Sequence, residues 1–282
     1  METREILKEN NFRFNKALGQ NFITDKNLLN AIVTDSGAGE DDIVVEIGAG
    51  AGTLTRAIAE RCKKVYAFEV DDNLRPVLKK SLAGLDNVMV VFADVLKMSD
   101  EELLKIVDKP FKVIANLPYY ITTPLIMRFL ESSLPVLSLT VTIQKEVAER
   151  LVAKAGKPEY GAVTVAADYA GDAVITRIIG KEMFFPVPKV DSALLTLTIN
   201  KDKYTVNDEK LFKRTVKAAF LWRRKTLANN LQNMFSLPKA ECEEILSSCG
   251  FSPMIRGEKL TTQEFINLSE EIEKHIEKHI KK

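Results

Sequence analysis

The sequence predicts an α/β protein with a doubly wound, Rossmann-like parallel sheet and a small all-helical C-terminal domain. Short apolar, β-branched runs alternate with amphipathic segments between Ile43 and Ile199, and such alternation is typical of a parallel sheet covered by helices. The residues that follow Asn200 show only helical periodicity. The 282 residues, 46% of them hydrophobic, are enough for one large core and a smaller second one.

The predicted strands are runs rich in Val, Ile and Leu: IVVEI, VYAFEV, VMVVF, KVIAN, LSLTVTI, VITRII and ALLTLTI. The predicted helices between the earlier strands are amphipathic: TLTRAIAERC, DNLRPVLKKSL, DEELLKIV, TPLIMRFLES and KEVAERLVAK. The Pro-rich FFPVPKVDS, rather than a helix, separates the last two strands, so we expect an antiparallel, hairpin-like ending at one sheet edge. The expected domains are a sheet domain over residues 1–200 and a helical domain over residues 201–282.

Composition and cysteine usage restrict the class of protein. Lys and Arg (40) nearly cancel Asp and Glu (39), so the net charge of +1 does not indicate a polyanionic partner, and only local clusters can. Cys62, Cys242 and Cys249 form no C-x-x-C pair, which argues against a disulfide framework or a zinc site. METREILKENNFRFNKALGQNF has no signal-peptide core, and no run approaches the roughly 18 apolar residues of a membrane span. We expect a soluble protein of a reducing cytoplasm, without a membrane partner.

The only histidines of the chain, His275 and His279, are four residues apart in a Glu- and Lys-rich tail. That spacing puts both on one helix face, but no third metal ligand is near. A solvated face with Glu–Lys pairs is therefore the preferred interpretation, and no metal is predicted. Chemistry elsewhere in the chain must proceed without a histidine base.

The first predicted strand ends in a glycine-rich loop, EIGAGAGTLT (Glu46–Thr55), in which Gly48, Gly50 and Gly52 precede a helix. Glycines there let the backbone approach a ligand, and the helix N-terminus favours a negative group. The loop differs from a nicotinamide-dinucleotide fingerprint, because Thr53 stands where that pattern requires its third glycine. A tight turn without a ligand is the alternative.

Acidic residues end the next two predicted strands. Glu69 ends the second strand, where a carboxylate can accept hydrogen bonds from ribose hydroxyls, and Asp94 follows the third. Each alone is also typical of a cap or a solvated turn. Because the carboxyl ends of successive parallel strands meet at one sheet edge, the loop, Glu69 and Asp94 together predict a nucleoside-like ligand.

The fourth strand leads into NLPYYITTPL, Asn116–Leu125. An Asn side-chain oxygen and a backbone carbonyl, here that of Leu117, can accept both N–H bonds of an adenine amine and direct its nitrogen lone pair toward an electrophile. Pro118 restrains the backbone that presents this carbonyl, and the Tyr119 ring offers a face on which an extruded base can stack. The alternative is that Asn116 caps a helix and Tyr119 belongs to the core.

With these motifs the chain resembles the S-adenosylmethionine-dependent ribosomal RNA adenine N6-dimethyltransferases, specifically the bacterial small-subunit type whose loss gives kasugamycin resistance. The resemblance covers almost the whole chain and rests on KALGQNFITD, EIGAGAGTLT, FEVD, ADV, NLPYYITTPL, EYGAVTV, FFPVPKVDSA and FLWRRKTLANNL. It implies a class I methyltransferase sheet and dimethylation of two adjacent adenosines in the 3′-terminal hairpin of small-subunit (16S) RNA. It further implies a monomer that acts on a 30S-like assembly particle in ribosome biogenesis.

The resemblance also implies roles for individual residues. The N-terminal segment would close over the cofactor, the glycine loop would lie at its methionine end, Glu69 would bind the ribose and Asp94 the adenine amine. Asn116 and Leu117 would hold the target amine, and Tyr119 and Phe184 would sandwich the flipped base. The implied cofactor-binding residues are Asn21, Ile23, Gly48, Gly50, Glu69, Asp94 and Asn116. GAGAG departs from relatives with a proline and a bulkier residue between the glycines, which predicts a slightly looser loop.

A basic cluster indicates RNA binding by the helical domain. The stretch 210–225 holds seven Lys or Arg residues and no acid, interleaved with Phe212, Phe220 and Trp222. Phosphate contacts of this kind give sequence-independent, salt-sensitive affinity. We expect Arg223, Arg224 and Lys225 to contact RNA, and a merely solvated helix face is the alternative.

Three other functions remain open from sequence. A large-subunit methyltransferase of the macrolide-resistance type shares the fold and site, but relatives of that type tend to have isoleucine after the Asn, so Leu117 favours the small-subunit type. A mainly non-catalytic ribosome assembly factor is compatible with the same features. A nicotinamide oxidoreductase is disfavoured by Thr53.

Overall fold

The computed structural model describes residues 19–280, with side chains through residue 276. The segment 1–18, on which the signal-peptide prediction mainly rests and in which the KALGQNFITD motif begins, lies outside the described residues, as does the His279 side chain. Among the described helices none is long and apolar enough to cross a membrane.

The main sheet has seven strands in the order β4-β3-β2-β5-β6-β9-β7. The first five strands in this order are parallel to their neighbours, and β9 is antiparallel to β6. The predicted doubly wound sheet is confirmed, and β9 and β7 are neighbours at one edge, as expected from the missing helix between them. The strands are β2 (Ile43–Ile47), β3 (Lys64–Glu69), β4 (Val88–Phe92), β5 (Phe111–Asn116), β6 (Val136–Gln144), β7 (Gly171–Ile179) and β9 (Ser192–Ile199).

A second, two-stranded sheet pairs β1 (Phe22–Ile23) with β8 (Phe184–Phe185), and periodicity does not predict it. Its two strands are too short to carry an alternating pattern. Phe22 lies opposite Phe185 and Ile23 opposite Phe184. This pairing holds the N-terminal segment beside the stretch that precedes the last strand.

Local signals explain where several helices begin. Asp25 caps α1 by accepting a hydrogen bond from the Leu28 N–H, and Ser99 and Glu102 form a capping box at the start of α4. Each of the five predicted helices ends before the last residue of the amphipathic segment that predicts it. The helices are α1 (Lys26–Asp35), α2 (Thr53–Ala59), α3 (Arg75–Ser81), α4 (Asp100–Leu104), α5 (Thr122–Leu130), α6 (Lys145–Leu151), α7 (Ala162–Ala170), α8 (Glu209–Ala219), α9 (Leu227–Phe235), α10 (Lys239–Ser248) and α11 (Thr262–Ile280).

The chain forms two compact units. The first runs to Ala148 and resumes over Asp172–Ile199, and the second comprises Glu149–Gly171 and the chain from Asn200 onward. The expected boundary near residue 200 is present, but the expected assignment of 149–171 to the sheet domain differs from this division. The reason is packing, because Tyr160 and Val165 are buried in the helical core and the Tyr160 hydroxyl donates to the Leu260 carbonyl at 2.7 Å.

Candidate active site

A single cavity at the carboxyl edge of the parallel strands collects every candidate residue of the first unit. It has about 1050 Å³ of empty space, a volume that includes open solvent at its mouth. The sequence-predicted residues that line it are Asn21, Ile23, Gly48, Gly50, Glu69, Asp94, Asn116, Leu117, Tyr119 and Phe184. Their individual roles remain predictions, since the cavity establishes only that they are neighbours.

The glycine loop has a conformation that requires glycine. Gly50 has a φ of +56° and Gly52, which precedes α2, a φ of +80°, in the left-handed region that other residues rarely adopt. A Cβ atom on Gly50 would lie 2.7 Å from the Phe22 ring. The absence of a side chain at Gly50 therefore lets the Phe22 ring pack directly on the loop.

The Glu69 carboxylate organises this loop while it faces the cavity. Its Oε2 accepts a hydrogen bond from the Gly50 N–H at 2.7 Å, and its Oε1 accepts from the Val70 and Asp71 N–H groups at 2.8 and 2.9 Å. Burial raises the pKa of Glu69, and the three backbone hydrogen bonds oppose that shift. A carboxylate has about four acceptor positions, so Glu69 retains capacity for a ligand hydroxyl.

Asp94 lines the cavity and also caps a turn, so both interpretations of this residue describe its position. Its Oδ1 accepts from the Leu96 N–H at 3.0 Å, and its Oδ2 lies 3.5 Å from the Nζ of Lys97. The Lys97 side chain is largely exposed. A partly exposed ion pair of this kind is weak, so the carboxylate can exchange it for another donor.

The amide of Asn116 has a defined orientation. Its Nδ2 donates to the backbone carbonyl of Asn21 at 2.7 Å, and because a carbonyl only accepts, the amide nitrogen must face Asn21. The Oδ1 atom makes no hydrogen bond within the described residues and belongs to the cavity wall. The Asn21 carbonyl thus orients the amide so that its oxygen has no donor among the residues that the structure describes.

Asn116 does not cap a helix. The 3₁₀ turn over Tyr119–Ile121 is preceded by Pro118 without a side-chain cap, and α5 is preceded by Ile121, also without one. The Leu117 N–H donates to the Thr142 carbonyl at 3.2 Å, while no donor to the Leu117 carbonyl is found within the described residues. The capping alternative is therefore wrong, and the second expected acceptor is available.

Tyr119 and Phe184 contribute the aromatic surfaces of the cavity. The Tyr119 hydroxyl lies 2.9 Å from the Oγ of Ser192 on β9, and Ser192 is fully buried. That hydrogen bond ties the tip of the Tyr119 ring to the sheet. Phe184 is placed by its pairing with Ile23 and is almost completely buried.

In the second unit the basic residues 223–225 lie in the turn between α8 and α9, and all three side chains are exposed. Arg223 donates from Nη2 to the carbonyls of Pro158 and Tyr160 at 2.7 and 3.1 Å, which gives it a structural role. Arg224 and Lys225 have no side-chain partner within the described residues. The predicted trio therefore divides into one anchored and two unengaged cations.

Other basic residues of the cluster are likewise engaged within the unit. Lys213 pairs with Glu209 at 2.7 Å. Arg214 donates to the Met234 carbonyl at 2.7 Å and lies over the Phe235 ring. Lys213 and Arg214 thus have partners within the unit, and RNA binding by this basic stretch stays a prediction.

The histidine interpretation needs a correction. His275 is buried, and its Nδ1 lies 3.1 Å from the Oε1 of Glu241, so it belongs to the helical core and not to a solvated face. The hydrophobic side of α11 explains this, since Ile272 is also fully buried. No cluster of potential metal ligands occurs among the described residues, and the three cysteines are free thiols.

Sequence reasoning did not assign roles to two residues that the structure brings to the site. Glu46, the first residue of the glycine motif, is 1% exposed in the cavity wall, and Ser192 holds Tyr119. An acidic residue in the middle of an apolar strand was an available signal for Glu46. The Ser192 contact depends on strand packing and leaves no local signal.

A family model described as "Ribosomal RNA adenine dimethylase" matches residues 11–274 of the chain. Two curated relatives are named "Ribosomal RNA small subunit methyltransferase A". The one from Clostridioides difficile (strain 630) is 44% identical over 272 residues, which cover 95% of this chain and 93% of the relative. The one from Enterococcus faecalis (strain ATCC 700802 / V583) is 45% identical over 280 residues, which cover 97% and 95%.

Two solved structures have a similar fold. A dimethyladenosine transferase from Plasmodium falciparum has a TM-score of 0.78 at 24% identity, covering 90% of this chain and 98% of that one. The 23S rRNA methyltransferase ErmE has a TM-score of 0.68, also at 24% identity, covering 89% and 99%. At this level of identity the likeness concerns the fold.

Proposed function

The chain belongs to the ribosomal RNA adenine dimethylase family, and on that premise we propose that it uses S-adenosylmethionine to dimethylate N6 of two adjacent adenosines in the 3′-terminal hairpin of small-subunit ribosomal RNA. Relatives named for the small subunit are 42–45% identical over at least 95% of the chain. The chain is thus an enzyme, an rRNA adenine dimethyltransferase of the small-subunit type. The observation that supports the mechanism best is the orientation of Asn116, whose oxygen is left free in the cavity.

The cavity fits S-adenosylmethionine by three features. The loop has no side chain at Gly50, Glu69 keeps an acceptor position beside it, and Glu46 is a buried carboxyl without a partner within the described residues. The residues that would hold the cofactor are Asn21, Ile23, Gly48, Gly50, Glu69, Asp94 and Asn116. When bound, it supplies an electrophilic methyl group.

The chain's own contribution is to hold and polarise the adenine amine. The Asn116 Oδ1 and the Leu117 carbonyl oxygen would each accept a hydrogen bond from one N–H of the adenine amine. These two hydrogen bonds draw the lone pair of N6 out of conjugation with the ring and direct it out of the ring plane. Both acceptors are preorganised, the first by the Asn21 carbonyl and the second by the backbone tie to Thr142. Preorganised groups cost no rearrangement during reaction, and no histidine is required.

Tyr119 and Phe184 would stack on the flipped base, and Ser192 sets the angle of the Tyr119 ring. Tyr119→Phe and Ser192→Ala each remove the same hydrogen bond, which is worth about 1 kcal/mol or roughly fivefold in kcat/KM. Because one bond is shared, the double variant should be no worse than the more damaging single one. Single-turnover methyl transfer to unmethylated small subunits measures this.

The matched control for Ser192→Ala is Thr196→Ala, which removes another hydroxyl contact of the same strand β9, the one to Thr140 on β6. Thr196 does not line the cavity, so its loss should leave methyl transfer unchanged. Fully additive losses in Tyr119→Phe and Ser192→Ala would contradict the positioning role of Ser192.

Arg224 and Lys225 are proposed to contact the RNA backbone, and Arg223 to support them. Replacing Arg224 and Lys225 by Ala should reduce the slope of log affinity against log salt concentration by roughly 0.7–0.9 for each phosphate that is no longer neutralised. Arg223→Ala should instead lower thermal stability, because the Pro158 and Tyr160 carbonyls lose their donor. Salt titrations of binding to small-subunit RNA and melting curves separate the two effects.

Lys239→Ala is the control for these charge changes, since Lys239 is an exposed cation of the same unit paired with Glu243. An unchanged salt slope in a folded Arg224→Ala, Lys225→Ala variant would remove this turn from the RNA interface.

The substrate assignment is tested by incubating the full chain with labelled S-adenosylmethionine and either unmethylated small subunits or large-subunit RNA, followed by primer extension. We expect two adjacent stops in the 3′-terminal hairpin of the small-subunit RNA. Modification of the large-subunit RNA alone would replace this function by that of the macrolide-resistance type. Free RNA and 30S-like particles compared in parallel test the proposed assembly particle, and light scattering tests the proposed monomer.

A further inference from the structure

The basic stretch 210–225 carries three aromatic rings, and the structure separates one of them from the other two. The rings of Phe212 and Phe220 pack on other aromatic rings of the helical core, at centroid distances of 4.7 and 5.9 Å. Trp222 is 46% exposed, and among the residues that the structure describes no ring and no cation contacts its indole. Because an indole is large and is usually well buried, its place at the surface sets Trp222 apart.

Hydrogen bonds from the helical core hold the backbone of the turn between α8 and α9. The Nδ2 of Asn230, which is fully buried, donates to the carbonyls of Ala219 and Trp222 at 3.1 and 3.4 Å. The Trp222 carbonyl also accepts from the Lys225 N–H at 2.9 Å. The Asn230 Oδ1 is buried without a donor in the described part of the chain, which is unfavourable. The turn is held in this conformation nonetheless, so the indole projects from a fixed backbone.

Two cations accompany the indole in this turn. Arg224 and Lys225 are exposed and have no side-chain partner within the described residues, whereas Arg223 is engaged by backbone carbonyls of the same unit. The stretch 210–225 contains no acidic residue. The turn therefore presents an aromatic face and two positive charges together. Single-stranded RNA has the complementary chemistry, since its bases stack on aromatic side chains and its phosphates pair with Lys and Arg.

A base that stacks on Trp222 must be unpaired. Within an A-form duplex both faces of a base are covered by its neighbours, so side chains stack on bases of loops, bulges and single strands. Leu221 is 44% exposed beside Trp222, but it has no aromatic face and cannot select a base in this way. Stacking tolerates any sequence because every base has such a face. The turn is thus suited to recognise an unpaired segment and not a particular base.

Resting on the proposed function, which supplies the RNA, we propose that Trp222 stacks on an unpaired base of ribosomal RNA while Arg224 and Lys225 contact the phosphates beside it. This base is distinct from the flipped adenine, because none of the three residues belongs to the described cavity wall. The contact changes no covalent bond. It contributes to the affinity for RNA and leaves the chemical step to the cavity residues.

Trp222 is the only tryptophan of the chain, so the tryptophan emission of the native protein reports on this turn alone. We expect saturable quenching when the full chain is titrated with a short single-stranded RNA, because a stacked base contacts the indole directly. A duplex that contains the same strand should bind through its phosphates without quenching, at equal occupancy measured by the anisotropy of labelled RNA. Equal quenching by the two RNAs would overturn the inference.

Substitutions at Trp222 separate stacking from simple burial of an apolar group. Trp222→Ala and Trp222→Leu should each weaken binding of the single-stranded RNA by roughly fivefold to 150-fold, the usual contribution of one stacked base. Trp222→Tyr keeps an aromatic face and should lose less. Leu221→Ala removes the adjacent exposed apolar side chain and is the matched control, with an affinity close to native. Native affinity in Trp222→Leu would contradict stacking.

The salt dependence of binding guards against a variant that merely disturbs the turn. Trp222→Ala removes no phosphate contact, so the slope of log affinity against log salt concentration should stay native. The variant with both Arg224→Ala and Lys225→Ala should instead lose roughly 0.7 of slope for each phosphate of a single strand that is no longer neutralised. A folded Trp222→Ala variant with a similarly reduced slope would give Trp222 only a structural role and overturn the inference.

Methyl transfer to unmethylated small subunits distinguishes a failure of this inference from a failure of the proposed function. Trp222→Ala should raise KM for the small subunit and leave kcat unchanged. A native chain that methylates small-subunit RNA without any quenching would contradict the inference alone. A native chain that is quenched by single-stranded RNA but methylates no small-subunit RNA would reject the proposed function and support the stacking site. Quenching by 30S particles but by no free RNA would assign the indole to a protein partner and overturn the inference.

Discussion

Asn116→Ala is expected to abolish methyl transfer while the protein still folds, still binds its RNA and still binds cofactor weakly. In the proposed mechanism Asn116 provides one of the two acceptors that hold the adenine amine, and the described cavity contains no histidine that could replace it. Preorganised groups of this kind are worth about 2.7–4 kcal/mol in the transition state, roughly a hundredfold to a thousandfold in rate. Single-turnover transfer of labelled methyl groups to unmethylated small subunits measures the loss.

Asn116→Asp gives a sharper version of the same test. A carboxylate cannot donate to the Asn21 carbonyl that the Asn116 Nδ2 contacts at 2.7 Å, so the side chain should turn away and activity should fall although an acceptor oxygen is retained. Calorimetry with cofactor and circular dichroism establish that each variant is folded. Near-native rates in Asn116→Ala would reject the mechanism, whatever the family.

Glu69→Gln is expected to weaken S-adenosylmethionine binding by at least about 1.5–3 kcal/mol, roughly tenfold to 150-fold, the usual worth of a hydrogen bond to a charged acceptor. The substitution looks conservative, but all three N–H groups at this carboxylate need an acceptor. The amide would turn an NH₂ group toward either the Gly50 N–H or the Val70 and Asp71 pair. The glycine loop should loosen in addition to the loss at the ribose.

Calorimetry with S-adenosylmethionine measures this effect, and RNA binding should remain close to that of the native chain because the basic turn is elsewhere in the sequence. Asp72→Asn is the matched control, since Asp72 follows in the same turn but is exposed and is paired with Arg75. Equal affinities of Glu69→Gln and the control would exclude Glu69 from the cofactor site.

Much of the fold could be predicted because its signals are local. The runs VMVVF and KVIAN are apolar and β-branched over the length of a strand, and both became strands within one residue of their predicted ends. Once strands alternate with helices, the parallel arrangement brings their carboxyl ends to one edge. Gly50, Glu69, Asp94 and Asn116 therefore meet in one cavity by topology, as expected from their places in the chain.

Other features could not be predicted, because they join segments far apart in sequence through one or two residues. The Ile23–Phe184 pairing that closes the site, and the assignment of residues 149–171 to the helical unit, are of this kind. The sequence likewise does not show which group a charged side chain contacts. Arg223 looks the same as Arg224 in the sequence, yet only Arg223 is held by backbone carbonyls within the described residues.

The sequence by itself determined which motifs follow the successive strands along the chain: a glycine loop, two acidic residues and an Asn-Leu-Pro-Tyr segment. Only the tertiary structure decided the state of those groups. The Asn116 nitrogen donates to the Asn21 carbonyl and the Tyr119 hydroxyl lies against Ser192. Within the described residues, neither the Asn116 oxygen nor Glu46 has a donor. The physical reason is that composition and periodicity decide which residues become buried. Hydrogen-bond partners instead depend on donor–acceptor distances that must be correct to a few tenths of an ångström, between segments that are distant in sequence.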